Sequence, residues 1–199
     1  MDGLGPIWPA TRTQIDGRSL GDAWPCAALQ AESKHTWEHI VPFHKLSQWL
    51  TYSLMPPMQK LLDIHFAGSE LMTGLAEYRN GGLLMDTGLI VLRSEDAKRG
   101  LELYQQNARL EGQPNTEVVP MFPPDDGVII EWRGITVGFL DELLPEVNKL
   151  LGLQGANKLN LPQMLEAGTW KAGREIAEIQ RPITRGPPIG LLASDGTVF

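Results

Sequence analysis

The sequence predicts a mainly α protein, a multi-helix bundle with extended, loop-rich arms at its two ends. Three observations carry that expectation. Apolar residues recur at steps of three and four through residues 46–54 and again through 128–151, the spacing that lines one side of an α-helix. Helix-start signatures, Ser94-Glu95-Asp96 and Pro162, head two further periodic stretches. Glycine and proline crowd both ends, where they would interrupt any helix. The expected division is an arm over residues 1–36, a helical domain over 37–180 broken by a proline-rich loop at about 111–127, and an extended tail over 181–199.

Composition sets the outer bounds. A chain of 199 residues is long enough for one sizeable core. Apolar and charged fractions of 42% and 21% are those of an ordinary globular protein. A formal charge of −7 argues against general nucleic-acid binding, which needs a basic face to displace counterions from phosphate. The single cysteine, Cys26, allows neither an internal disulfide nor a cysteine-based zinc site and fits a reducing cytosol. No apolar run reaches the roughly 20 residues that span a bilayer, so a cytoplasmic protein without membrane contact is expected.

In chain order, the first thirty residues hold seven Gly or Pro breaks among Ile7, Trp8, Leu20 and Trp24, large groups that need a surface to dock on. Residues 37–62 turn helical, with Val41-Pro42-Phe43 at the start and Leu46, Trp49, Leu50 and Leu54 on one apolar face; Pro56-Pro57 should break the helix into two. Lys45 and Gln48 fall three apart on that helix, either as part of a solvated face or as ligand-binding groups.

The stretch Leu75-Ala76-Glu77-Tyr78-Arg79-Asn80-Gly81-Gly82 is chemically dense. Glu77 and Arg79 can form a local salt bridge or belong to a site. Gly81-Gly82 permits a tight turn or the close approach of another backbone. Leu83, Leu84, Met85, Leu89, Ile90 and Val91 should be buried, with Gly88 stopping the helix. A helix then runs from Ser94 to about Gln106, followed by the proline-rich loop.

Residues 128–151 make the central helix, kinked or divided at Pro145. Glu131 and Arg133 insert opposite charges into it beside Trp132. Buried charge must be paired, so their partners are each other, another segment of the chain, or a ligand; function is the favoured explanation. The last helix is expected from Pro162 to Ile179, with Leu165, Trp170, Ile176 and Ile179 buried. On it Lys171 and Arg174 either bind phosphate or stand in solvent. The apolar end of the tail should be docked.

There is no P-loop, no G-x-G-x-x-G fingerprint and no H-E-x-x-H helix. His35 and His39 are four apart, but two histidines alone make an incomplete metal site. No metal and no cofactor are expected.

Several segments taken together carry a resemblance. Residues 41–50 (VPFHKLSQWL), 77–83 (EYRNGGL), 128–133 (VIIEWR), 166–174 (EAGTWKAGR) and 194–199 (SDGTVF) are similar, in this order, to the uracil catabolism protein 4 family, long carried as a domain of unknown function. Members of that family are about twice this length, so the chain is expected to correspond to a C-terminal portion. Lys45-x-x-Gln48, Glu77-Tyr78-Arg79 and Glu131-Trp132-Arg133 also resemble, more distantly, motifs of the queuosine salvage proteins, N-glycosidic hydrolases with a helical fold related to DNA glycosylases. Glu77 stands where those proteins look to have Asp.

What the resemblance implies is a pyrimidine-breakdown protein hydrolysing an N-ribosidic bond, with a ribosylurea or its 5′-phosphate as the expected substrate. Glu77 would stabilise the ribosyl cation and activate water. Glu131 would fix an arginine or give a proton to the leaving nitrogen, Arg79 or Arg133 would hold a phosphate or orient Glu77, and Tyr78 and Trp132 would wall the pocket. Lys45, Gln48, Lys171, Arg174 and Asp195 complete the expected ligand-binding set. On this reading Glu77, Arg79, Glu131 and Arg133 line one pocket. The alternative is a non-catalytic nucleoside-binding or scaffold protein that partners other uracil-breakdown enzymes.

Overall fold

The computed structural model describes residues 3, 5–111, 117–193 and 196–198. It is mainly helical, as expected. The arm contains a two-stranded hairpin, β1 (Gln14–Ile15) with β2 (Arg18–Ser19). Asp16 and Gly17 join the strands with φ of 50° and 74°, the Asp-Gly pairing that turns of this hand require. Strand β3 (Ala23–Pro25) leads to a single turn, α1 (Ala27–Gln30), and pairs antiparallel with β4 (Ile40–Pro42). Residues 37–44, expected to begin the helical domain, therefore include a strand, and His35 and His39 do not share a helix.

Helix α2 (Lys45–Leu62) runs through Pro56 and Pro57 without the expected break. Each proline withdraws an amide that would reach a carbonyl four residues back, yet the helix continues. Next come α3 (Tyr78–Asp86) and α4 (Ser94–Glu111), the latter a turn longer than its sequence pattern foretold. Gly88, at φ 75°, follows the end of α3 in the left-handed conformation common after helix termini. Leu84 is buried as expected, but Leu89 and Val91 are exposed.

Strand β5 (Met121–Phe122) lies within the proline-rich segment and pairs in parallel with β6 (Gly190–Leu191) of the tail. The long central helix α5 (Gly127–Leu150) is not divided at Pro145; Asp126 caps it by accepting from the Val128 amide. Arg99 of α4 grips the same carboxylate. A short α6 (Leu161–Met164), closed by a capping box between Asn160 and Gln163, runs into a π-helical turn over Leu165–Thr169 and then into α7 (Trp170–Gln180). Ile179, expected on the buried side of α7, is exposed.

Two apolar clusters form the core. One joins Trp24 and Cys26 of the arm, and Phe43 just before α2, to Ile129, Ile130 and Trp132 of α5 and to Phe122, Ile189 and Val198. Both arms are thus docked on the central helix, which explains how Trp24 and Val198 escape water. The other gathers Tyr52, Leu75, Leu140, Met164 and Leu165. Close backbone packing fixes α3 between its neighbours. A Cβ on Gly173 of α7 would fall 2.1 Å from the Arg79 carbonyl oxygen, and one on Gly81 would fall 2.7 Å from the Trp132 indole nitrogen. The glycines on both helices serve close approach, not turning. Among the described residues, no helix is long and apolar enough to cross a membrane.

Candidate functional site

A cavity of about 240 Å³ opens where the N-termini of α2 and α3 meet the π-helical turn. Its walls include Lys45, Trp49, Glu77, Tyr78, Arg79, Asn80, Glu166 and Trp170. Pockets for drug-sized ligands run to roughly 300–1,000 Å³, so this one suits a smaller molecule. A π-turn inserts one extra residue into a helix and is often found at functional sites.

Glu77 is the N-cap of α3. Its Oε2 accepts from the Arg79 amide at 2.8 Å and the Asn80 amide at 3.3 Å. Burial pushes the Glu77 carboxyl above its ordinary range; the two amides and the charges of Arg79 and Lys45 pull the other way without cancelling it. Oε1 takes no hydrogen bond among the described residues, which leaves it to the cavity. The Lys45 ammonium is shifted down by burial, an effect that Glu77 opposes.

The aromatic walls are also interlocked. Trp49 meets Trp170 edge to face at 5.1 Å between ring centroids. The Arg79 guanidinium lies 5.1 Å from the Tyr78 ring and 5.2 Å from the Trp170 ring, within cation–π range. Behind them the buried Asn80 ties the cavity to the π-turn, accepting from Thr169 Oγ1 at 2.9 Å and donating to the Leu75 carbonyl at 3.3 Å.

Of the residues expected in the site, the structure gathers Lys45, Glu77, Tyr78 and Arg79. The other described ones lie elsewhere, and among the described residues the single pocket expected to hold Glu131 and Arg133 beside Glu77 does not form. Arg133 is buried and makes a bidentate pair with Asp22 of the arm, both bonds 2.7 Å, with Phe43 under its guanidinium at 4.2 Å. Glu131 bonds Arg93 at 3.2 Å and lines a separate hollow bounded by Met85, Ile90 and Ile189. The two charges therefore have other chain segments as partners, one of the three options that burial allowed. Trp132 packs into the core against Gly81.

Gln48 reaches sideways to Thr73 Oγ1 at 2.6 Å. Lys171 stands exposed near Glu175, and the exposed Arg174 lies over the Trp170 ring at 5.7 Å. Asp195 falls outside the described residues. What sequence reading missed is the role of Trp49, Asn80, Glu166 and Trp170. Trp49 and Trp170 were legible only as members of apolar helix faces, because spacing cannot say which face a cavity will take.

Asp22 was missed as well. Its carboxylate receives Arg133, the Trp24 indole at 2.7 Å and the Lys45 amide at 3.2 Å, while its carbonyl accepts from the Phe43 and His44 amides. His44, at φ 45°, makes no side-chain cap for α2, so Asp22 supplies an acceptor for the first amide from outside the helix. Burial alone would raise the Asp22 carboxyl; Arg133, Trp24 and the Lys45 amide outweigh it and hold it below its usual range. A buried arginine in the central helix was the one signal that such an anion had to exist.

Gly17-Arg18-Ser19-Leu20-Gly21 spells G-x-S-x-G. That motif supports a nucleophilic serine only at a strand-to-helix elbow. Here Ser19 ends a hairpin strand and its Oγ accepts from the Gly21 amide at 3.2 Å.

Comparison with known proteins adds the relationships. Residues 1–199 match the model of a family described as "Protein of unknown function (DUF1688)". Uracil catabolism protein 4 of Lachancea kluyveri is 50% identical over 202 residues, covering 100% of this chain and 44% of its own length. Protein urg3 of Schizosaccharomyces pombe (strain 972 / ATCC 24843) is 44% identical over 194 residues, covering 98% of this chain and 41% of its own. The chain thus spans less than half the length of these relatives. No solved structure matches it.

Proposed function

Because this chain belongs to the DUF1688 family, with a relative named for uracil catabolism, we propose that it serves uracil breakdown by hydrolysing an N-ribosidic bond in the Glu77 cavity. The observation that carries this reading is one juxtaposition: a carboxylate held partly out of water, with two cations and two indoles around a small cavity. Such a site matches the needs of a ribosyl cation, which gains from a nearby anion and from walls that limit water.

On this reading a ribosylurea or its 5′-phosphate lies against Trp49 and Trp170. Glu77 stabilises positive charge at C1′ and takes a proton from the attacking water. The C1′–O bond forms as the C1′–N bond breaks, and the leaving nitrogen takes a proton from the Lys45 ammonium, giving urea and the free sugar. Proton transfer from Glu77 to Lys45 resets the site. The upward shift of the carboxyl makes Glu77 a stronger base, and the downward shift of the ammonium makes Lys45 a readier acid. Arg79 meets the sugar or its phosphate. Glu131 has no part in this scheme, since Arg93 holds it in another hollow.

The test is release of urea from synthetic ribosylurea by the purified protein, with Glu77→Gln beside it. The wild type should turn over and the variant should lose activity by 100-fold or more, about 2.7 kcal/mol. Equal turnover by the two would remove Glu77 from the chemistry. A non-catalytic binding protein would instead show a thermal shift with ribosylurea and no urea release.

A further inference from the structure

Glu166 belongs to the π-helical turn and borders the same cavity as Glu77. The turn is pinned on both sides of it: Leu165 and Thr169 are buried, and Thr169 Oγ1 donates to Asn80 at 2.9 Å. A backbone fixed in this way brings its carboxylate to the cavity without a loop's freedom. That carboxylate takes no hydrogen bond and forms no ion pair among the described residues.

Glu166 also borders a larger groove of about 840 Å³. Among the described residues that groove is lined by no Lys or Arg, which leaves Glu166 without a cation on that side. On the cavity side, the Lys45 ammonium and the Arg79 guanidinium donate to no protein acceptor among the described residues. One small cavity therefore carries both an uncommitted carboxylate and uncommitted donors.

An N-ribosylurea answers both. Its two N–H groups on the side away from the carbonyl are parallel, the fork that a guanidinium presents to a carboxylate. Its carbonyl oxygen is left for Lys45 or Arg79. An intact pyrimidine ring offers the reverse, because the N–H of uracil is flanked by two carbonyl oxygens and the nitrogen bound to the sugar has no hydrogen. A carboxylate set against that edge gains one bond and opposes two oxygens, and specificity arises from such repulsion as much as from the favoured contact. We propose that Glu166 selects the leaving group, accepting from both N–H groups of an open-chain ureido riboside and rejecting the closed ring of uridine. This role rests on the functional reading above, which places the sugar at Glu77.

Calorimetry in a Glu77→Gln background measures affinity without turnover. There ribosylurea should bind at least about 20-fold more tightly than uridine, short of what a fully buried site achieves because water reaches Glu166. Adding Glu166→Gln replaces an acceptor-only group by one that also donates, which suits a carbonyl beside an N–H. Ribosylurea affinity should then fall about tenfold and uridine affinity should rise, bringing the ratio to about 2 or less. Glu166 is exposed, so the substitution should leave the melting temperature nearly unchanged. A ratio that falls less than about threefold overturns the proposal, and so does a starting preference for uridine or binding of neither ligand. Urea release by the wild-type chain reports on the functional reading separately. Release with an unchanged ratio sinks only the role of Glu166, whereas a Glu166-dependent ratio without release sinks only the hydrolysis.

Discussion

Arg133 of the central helix and Asp22 of the N-terminal arm share two 2.7 Å bonds with almost no exposure of either side chain. The pair joins residues 111 positions apart. It also holds the first amide of α2 in place, and through that amide sets where Lys45 stands at the cavity.

Removing either partner strips the other buried charge of its bidentate ion pair. Arg133→Ala and Asp22→Ala are each expected to cost about 3–5 kcal/mol, measured by urea denaturation. The double variant Asp22→Leu/Arg133→Met removes both charges and should recover much of that loss. A double variant as unstable as the worse single one would show that the pair's geometry, not its charge balance, is what matters.

The same pair governs acid sensitivity. The Asp22 carboxyl titrates below its unfolded value of 3.8, so its stabilisation is fully present above pH 3.8 and is lost as the pH falls through the lower folded value. Wild-type stability should fall below pH 3.8. The double variant should lack that component, and denaturation midpoints between pH 5 and pH 2 provide the comparison.

Glu77 has the opposite sign. Its carboxyl titrates above 4.5 when folded, so the folded chain binds the proton more tightly and stability falls as the pH rises from 4.5 through the raised value. Glu77→Gln keeps an oxygen to cap the Arg79 and Asn80 amides but never ionises. It should therefore be at least as stable as the wild type at pH 7, with the difference shrinking below pH 4.5. Activity, by contrast, should decline as the pH drops through the raised Glu77 value, since the base is then protonated.

The glycines on α5 and α7 separate packing from propensity. Gly173→Ala puts a methyl into the Arg79 carbonyl, a backbone atom that cannot step aside, and should cost about 1–3 kcal/mol or more. Gly138→Ala on α5 meets nothing within 4 Å and should stabilise by about 0.5–1 kcal/mol. Thermal melts of both variants check the contrast, and a neutral Gly173→Ala would mean that α7 can slide on α3.

Trp170→Leu tests the aromatic wall. It should weaken ribosylurea binding about tenfold, or ~1.4 kcal/mol, measured by calorimetry. It also removes the ring beneath Arg79. Unaltered affinity would place the ligand away from Trp170.

The helical class is legible in the chain alone, because apolar periodicity and capping residues act within a few residues of each other. So is the Glu77-Tyr78-Arg79 turn, since capping α3 brings that carboxylate and the amides of Arg79 and Asn80 together locally. Other outcomes needed partners far apart in sequence. Asp22 meeting Arg133, Trp49 meeting Trp170 and Glu131 turning to Arg93 depend on which faces α2, α5 and α7 present after packing. Periodicity identifies an apolar face but not what covers it. That is why Leu46, Leu50 and Leu54, read from the sequence only as one apolar face of α2, stand exposed in the structure, and why Glu77 and Glu131, alike in their motifs, lie in different hollows.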